Sequence, residues 1–222
     1  MLGIIRVLTL SDPRDVHRHG ELIERQYQIP VVSECIWDQP KGIYDQETED
    51  IAVPKIIEVA KRLEAKGCQA IGISCAADPA LAEVRQAVRV PVIGAGSAAA
   101  HQAMAMSRKA GVLTILDDAP PLVKQILGDA YVGMKRPDGV RTTLDLQTPE
   151  GRKNALEAAK WLKEQGAESI VLCCTGFATI GFAKELMERL QLPAMDPIMA
   201  IGTTASMFLK KQNSLSPDGA AV

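Results

Sequence analysis

Cys75 and Cys174 close two copies of one pattern, an apolar run that ends in a thiol: Ile71-Gly-Ile-Ser-Cys75-Ala-Ala and Ile170-Val-Leu-Cys-Cys174-Thr-Gly. The copies align backwards without a gap, Leu63 meeting Leu162, Gly67 meeting Gly166 and Ile71 meeting Ile170. Forward, Val90-Pro-Val-Ile-Gly94 answers Leu192-Pro-Ala-Met-Asp196. One thiol per half is what two-base proton transfer needs: one side chain takes a proton from a carbon acid and its counterpart returns one to the opposite face. Thiol suits the task because its ordinary pKa of about 8.5 leaves both forms within reach of neutrality. Making one thiolate dominant at pH 7 calls for a downward shift of roughly 1.5–2.5 units. The expected sources are backbone N–H groups in each strand-to-helix turn and the dipole of the following helix. Those N–H groups, with Thr175, would also hold an oxygen that gains negative charge. Two neighbouring thiolates repel, so one ionises at a time.

A single cysteine is more often a small buried apolar residue than a reactive one. Cys35, Cys68 and Cys173 are read that way, Cys173 because it points to the opposite side of its strand from Cys174. Only the duplication sets Cys75 and Cys174 apart. His17 and His19, two apart on a helix, share no face and read as surface residues. His101 has no partner nearby in sequence. Neither a zinc-type cluster nor a Walker loop occurs, and Gly94-Ala-Gly96 is half of a dinucleotide fingerprint. The expectation is no metal and no cofactor.

The elements that must position the thiols alternate strand and helix. Strands are expected at 3–10, 30–36, 70–74, 90–93, 111–116, 130–134, 169–173 and 192–195. Helices begin at Asp12-Pro13, about Asp50, Asp78-Pro79, Ser97, Asp117 to Pro121, Thr148-Pro149, before Leu186, and at Asp196-Pro197. The last helix is expected to end at Lys210-Lys211, with a frayed tail after Asn213. The polar segment Trp37 to Glu49 reads as a surface loop that could act as a lid. The expected fold class is α/β: two parallel-sheet halves related by an approximate twofold, with the active site in the cleft between them. The halves are expected at 1–97 with 207–222, carrying Cys75, and at 98–206, carrying Cys174. In open α/β sheets the ligand crevice lies along the strand C-ends. The substrate-binding set expected there is Thr9, Ser11, Ala76, Gly94, Thr114, Thr175, Gly176 and Asp196.

Composition bounds the partners. The chain has 222 residues and a net charge of −2, so no basic excess suggests nucleic acid or an anionic membrane. The least polar long stretch, Ala87 to Met106, contains Arg89 and His101 and makes a poor membrane span. Five cysteines at irregular spacing, with no secretory pattern before them, suggest reduced thiols and a cytoplasmic location. The expected partner is a small molecule.

With both cysteine segments in view, the chain resembles the aspartate/glutamate/hydantoin racemase superfamily over about residues 3–208, most of all its hydantoin racemase branch. Ser74-Cys75-Ala-Ala-Asp78-Pro79 followed by Val90 to Gly94 resembles the branch's first cysteine segment, and Cys174-Thr175-Gly176-Phe177 its second. Glutamate racemases place a histidine soon after the second segment's threonine, where this chain has Gly176 and Phe177. The resemblance implies a cofactor-independent isomerase that uses two cysteines as acid and base on a hydantoin or amino-acid derivative, commonly as a homo-oligomer. Two departures stand out. Thr9-Leu10-Ser11 replaces an Asn-Pro-Asn type segment, and Cys173 replaces a glycine before the second cysteine. The superfamily's maleate isomerases and arylmalonate decarboxylases, and a non-catalytic small-molecule binder on the same fold, are the alternatives.

Overall fold

A computed structural model describes residues 1–209, and the expected helix end at Lys210-Lys211 and tail after Asn213 lie outside the described residues. The first half runs β1 (Leu2–Arg6), α1 (Pro13–Tyr27), β2 (Val31–Cys35), α2 (Gln46–Ala65), β3 (Ala70–Ser74), α3 (Leu81–Ala87) and β4 (Val92–Gly94). After α4 (Ala95–Met106) come β5 (Ala110–Thr114), α5 (Pro121–Leu127), β6 (Tyr131–Lys135), α6 (Pro149–Glu164) and β7 (Ser169–Cys173). Then follow α7 (Gly176–Thr179), α8 (Phe182–Leu190), β8 (Ala194–Met195) and α9 (Pro197–Ser206). The strands form two parallel four-stranded sheets of the same order, β2-β1-β3-β4 and β6-β5-β7-β8. Cys75 and Cys174 follow β3 and β7, the same interior strand of each sheet. The duplication in sequence is thus a duplication of topology.

β1, β3, β5 and β7 are buried along their whole length, as near-continuous apolar runs of a sheet covered on both faces should be. In the first sheet one face packs on α2 through Ile5, Ile56, Val59, Leu63 and Ile73. Its other face packs Leu2, Ile4 and Ala70 against Ile23 of α1 and Ile198 and Ile201 of α9. Gly72 makes that last contact possible, since a Cβ there would fall 2.7 Å from Ile201 Cγ2. Helix α4, for its part, packs Ala99, Ala100 and Ala103 with Ala110, Val112 and Val171 of the second sheet. Each half therefore sends its last helix onto the other's sheet. The halves we propose, 1–94 with 197–209 and 95–196, follow that packing where the expected boundaries lie at 97 and 206.

Several local expectations change. Helix α3 starts at Leu81 rather than at Asp78-Pro79, because Asp78 and Ala80 both take positive φ. β1 stops at Arg6 rather than Leu10, because the chain beyond it pairs with a loop: Thr9 N–H donates to Gln39 O at 3.0 Å. Helix α2 starts at Gln46, inside the segment read as a loop, because Asp45 and Thr48 form a capping box. Helix α4 starts at Ala95 and takes its cap from a distant side chain rather than from Ser97. The short α7, directly after the second cysteine, is an addition to the expected set.

Candidate active site

Each thiol sits in the turn at the C-end of its strand. Cys174 Sγ accepts a hydrogen bond from Gly176 N–H, two residues on, at 3.4 Å. At Cys75 the corresponding N–H, that of Ala77, acts on the thiol in the same sense and favours its charged form. Cys75 keeps part of its surface open, whereas Cys174 is 7% exposed. The two lie within electrostatic reach, a charge on Cys174 raising the pKa of Cys75. Asp78 and Glu49 act on Cys75 in the same sense.

Burial shifts the thiols opposite to expectation. It dominates and pushes Cys75 up to about 12 and Cys174 up to about 11, well above an ordinary thiol. The backbone N–H groups lower both, as expected, but are outweighed. Among the described residues no lysine or arginine is a cause of either shift, and a thiolate without a cation nearby loses more hydration than a few N–H dipoles restore.

Asp78 shapes the first turn. Its carboxylate accepts from Gly96 N at 2.8 Å and Ser97 N at 2.6 Å, so it caps α4 from outside the helix. The turn is strained, with Asp78 at φ 55° and Ala80 at φ 56°, conformations that cost an L-residue roughly 1–2 kcal/mol each. A charged cap on two N–H groups offsets about 1 kcal/mol of that. Burial raises the Asp78 pKa while the cap bonds oppose it.

Among the expected binding residues, Ala76 and Gly176 lie in the cysteine turns, and Gly94 lies beside Asp78 at the head of α4. Thr175, half-buried, opens α7. Ser11 is exposed in the β1–α1 turn. The hydroxyls of Thr9 and Thr114 are engaged within the protein. Thr9 Oγ1 donates to Ile36 O at 2.9 Å and accepts from Gln39 N at 2.8 Å. Thr114 Oγ1 donates to Cys173 O at 3.3 Å. Asp196 caps α9, accepting from Ile198 N at 2.8 Å and Met199 N at 3.1 Å. The segment from Trp37 is strapped down: Gln39 is buried and its side-chain amide donates to Thr48 O at 2.8 Å.

Three residues near the turns escaped the sequence reading. Thr143, in the loop after β6, backs onto the second turn, its Cγ2 3.1 Å from where a Gly176 Cβ would stand. Thr179 ends α7. His19 was expected at the surface and is 2% exposed, with Nδ1 2.7 Å from Ser74 Oγ and Nε2 3.2 Å from Thr179 Oγ1. The signal for its burial lay in the spacing, since it falls three after Val16 and four before Ile23 on the apolar face of α1. His17 is exposed. Two open hollows of about 300 and 450 Å³ lie on the second half, around Trp161 and around Arg136, and neither is lined by Cys75 or Cys174. Among the described residues no three His, Cys, Asp or Glu side chains converge as metal ligands would. No helix among them is long and apolar enough to cross a membrane.

Paired parallel sheets with a cysteine turn on each define a racemase-type α/β architecture. The chain belongs to the Asp/Glu/Hydantoin racemase family, whose model matches residues 22–205, and with it to the isomerases. It is 30% identical over 168 residues to a hydantoin racemase of Pseudomonas sp. (strain NS671), covering 72% of this chain and 66% of that protein. A hydantoin racemase of Rhizobium meliloti is also 30% identical, over 78% of this chain and 73% of its own. In fold the chain is similar to allantoin racemase from Klebsiella pneumoniae, with a TM-score of 0.77 at 21% identity, covering 97% of this chain and 95% of that one.

Proposed function

We propose that the protein is a cofactor-independent racemase in which Cys75 and Cys174 act as acid and base on one carbon of a small carbon acid, a 5-substituted hydantoin or a related amino-acid derivative. The observation that carries the reading is the equivalence of the two turns: the same strand of two like sheets, each followed at once by a cysteine. In one direction a thiolate takes the substrate proton and the facing thiol delivers its own to the other face. The pair ends with its protonation exchanged and is reset through solvent or by the reverse reaction. Thr175 and the N–H groups of the turns are the groups we assign to the substrate's enolate oxygen.

The raised thiol pKa values fit a demanding proton. Ionising Cys174 at pH 7 costs roughly 5 kcal/mol, but the thiolate so formed is a stronger base than an ordinary cysteine's. A ring whose carbanion is conjugated to an imide meets such a base partway, since its Cα–H is more acidic than that of a free amino acid. The hydantoin racemase relatives support this substrate class.

The test is incubation with single-enantiomer hydantoins and amino acids in D₂O, following Cα–H exchange together with optical rotation. Exchange with loss of rotation, and no added cofactor, is expected for hydantoins. Cys75→Ala and Cys174→Ala should each abolish racemisation, with one still exchanging a single enantiomer. A panel of such substrates showing no exchange would sink the reading.

A further inference from the structure

His19 is the point at which the two cysteine turns are joined. It belongs to α1 in the first half. Ser74, on its Nδ1 side, is the residue immediately before Cys75. Thr179, on its Nε2 side, closes the single helical turn that begins two residues after Cys174. Among the described residues, no other side-chain hydrogen bond links the Cys75 turn to the Cys174 turn. We propose that His19 is a positioning residue, a strut whose two ring nitrogens hold the Cys75 turn and the Cys174 turn at a fixed separation and angle. The proposal rests on the racemase reading and names a device within that same site.

Burying an imidazole is costly unless both nitrogens are satisfied, and here both are. Both partners are hydroxyls, able to donate or accept, so either tautomer completes the chain Ser74–His19–Thr179. Its surroundings keep the ring uncharged. Burial first, and then the positive charges of Arg6, buried on β1, and Arg18, on α1 itself, hold the imidazole well below its ordinary 6.5. Arg6 is itself held in place, its Nη1 donating to Val16 O at 3.2 Å and to Asp15 O. The strut therefore stands on a fixed base and needs no second ring proton.

Inversion needs more of the geometry than exchange does. A single thiol beside the substrate can remove a proton and return deuterium to the same face. Inversion needs the second sulfur aligned on the opposite face as well, and misplacement by about 1 Å costs on the order of 100-fold.

The experiment measures, for one hydantoin enantiomer in D₂O, the rate of deuterium entry and the rate of inversion. Thr179→Val cuts the strut at its partly exposed end. Inversion is expected to fall about 10- to 100-fold with a smaller fall in exchange, so the exchange-to-inversion ratio rises. Ser74→Ala should act alike from the other end, and Thr179→Ser, which keeps the hydroxyl, should restore the ratio. A role confined to stability lowers both rates together. An unchanged ratio in Thr179→Val, with Thr179→Ser no better, overturns the proposal. Histidine ¹⁵N spectra of the full-length protein give a readout independent of catalysis. Thr179→Val should move the Nε2 resonance of His19, and an unmoved resonance removes the strut. If the wild-type protein neither exchanges nor inverts any substrate, the racemase reading fails by itself, and the spectra still decide the hydrogen-bonded link.

Discussion

The Asp78 carboxylate occupies the space that a side chain on Gly94 would need: a Cβ built on Gly94 falls 2.5 Å from its Cγ. Gly94 and Asp196 are equivalent positions of the duplicated sequence, each just before the first residue of the helix that crosses to the other sheet. In the second half that helix is capped by Asp196 itself, and in the first by Asp78 reaching over from the cysteine turn. The halves keep a carboxylate at the same point but supply it from different places in the chain. Through Asp78 the Cys75 turn is fastened to α4, and with it to the second sheet.

Gly94→Ala should therefore unseat Asp78. A methyl inserted into a packed site costs roughly 1–3 kcal/mol, and the displaced cap moves the Cys75 turn with it. The expected result is a lower urea midpoint and slower racemisation. Pairing Gly94→Asp with Asp78→Gly moves the carboxylate to the position it has at Asp196 and relieves the positive φ at 78. That double variant should be more stable than Gly94→Asp alone, a coupling that equilibrium urea unfolding measures. Simple additivity of the two changes would contradict the exchange of caps.

Alkaline behaviour follows from the buried thiols. Both pKa values lie above those of the unfolded chain, so the fold keeps protons that the unfolded chain releases. Their contribution to stability is fully present below about pH 8.5 and is lost as pH rises toward 11 and 12. Alkylation by iodoacetamide should be slow at pH 7 and climb about tenfold per pH unit to beyond pH 10. Rapid labelling of either cysteine at pH 7, measured by mass spectrometry, would show a thiolate that these turns do not stabilise.

The duplication made much of this legible. Leu63 with Leu162 and Cys75 with Cys174 gave the repeat, and the repeat gave two like sheets with thiols at matching ends. The direction of the thiol shifts was not legible, because local N–H donors can be read from a strand-to-helix turn whereas the mass of protein around a sulfur cannot. Thr9 shows the same limit. Its place after β1 was clear, but its hydroxyl is spent on Ile36 and Gln39, residues brought to it by the chain's return. His19 was misjudged by testing only its spacing from His17. Its distance from Val16 and Ile23 was the informative one.

Acid should weaken the fold through His19. Its folded pKa is depressed below the ordinary 6.5, so its contribution is present above that value and is lost as pH falls through it. The limiting slope for one such group is about 1.4 kcal/mol per pH unit. Asp78 and Asp196, both raised by burial, act in the opposite sense, so the difference between the wild type and His19→Gln over the interval from 6.5 to 5 isolates the histidine. Urea midpoints across that interval should fall for the wild-type protein and stay flatter for His19→Gln. Parallel curves would assign the acid sensitivity to another group.

Cys173 offers the sharpest contrast with its neighbour. It is 3% exposed and packs with Val112, Val171, Met195 and Ala200, whereas Cys174 packs in a separate cluster with Leu172 and Phe177. Adjacent residues on one strand face opposite sides, so one thiol fills the core and the next is left to the turn. Cys173→Ala should cost about 1 kcal/mol of stability and leave racemisation within about twofold. Cys173→Ser should cost more, roughly 1–3 kcal/mol, because a hydroxyl buried among apolar side chains lacks a partner. Urea unfolding and the D₂O assay on the same preparations separate the two effects. A rate loss beyond tenfold in Cys173→Ala at unchanged stability would move this sulfur from the core into the chemistry.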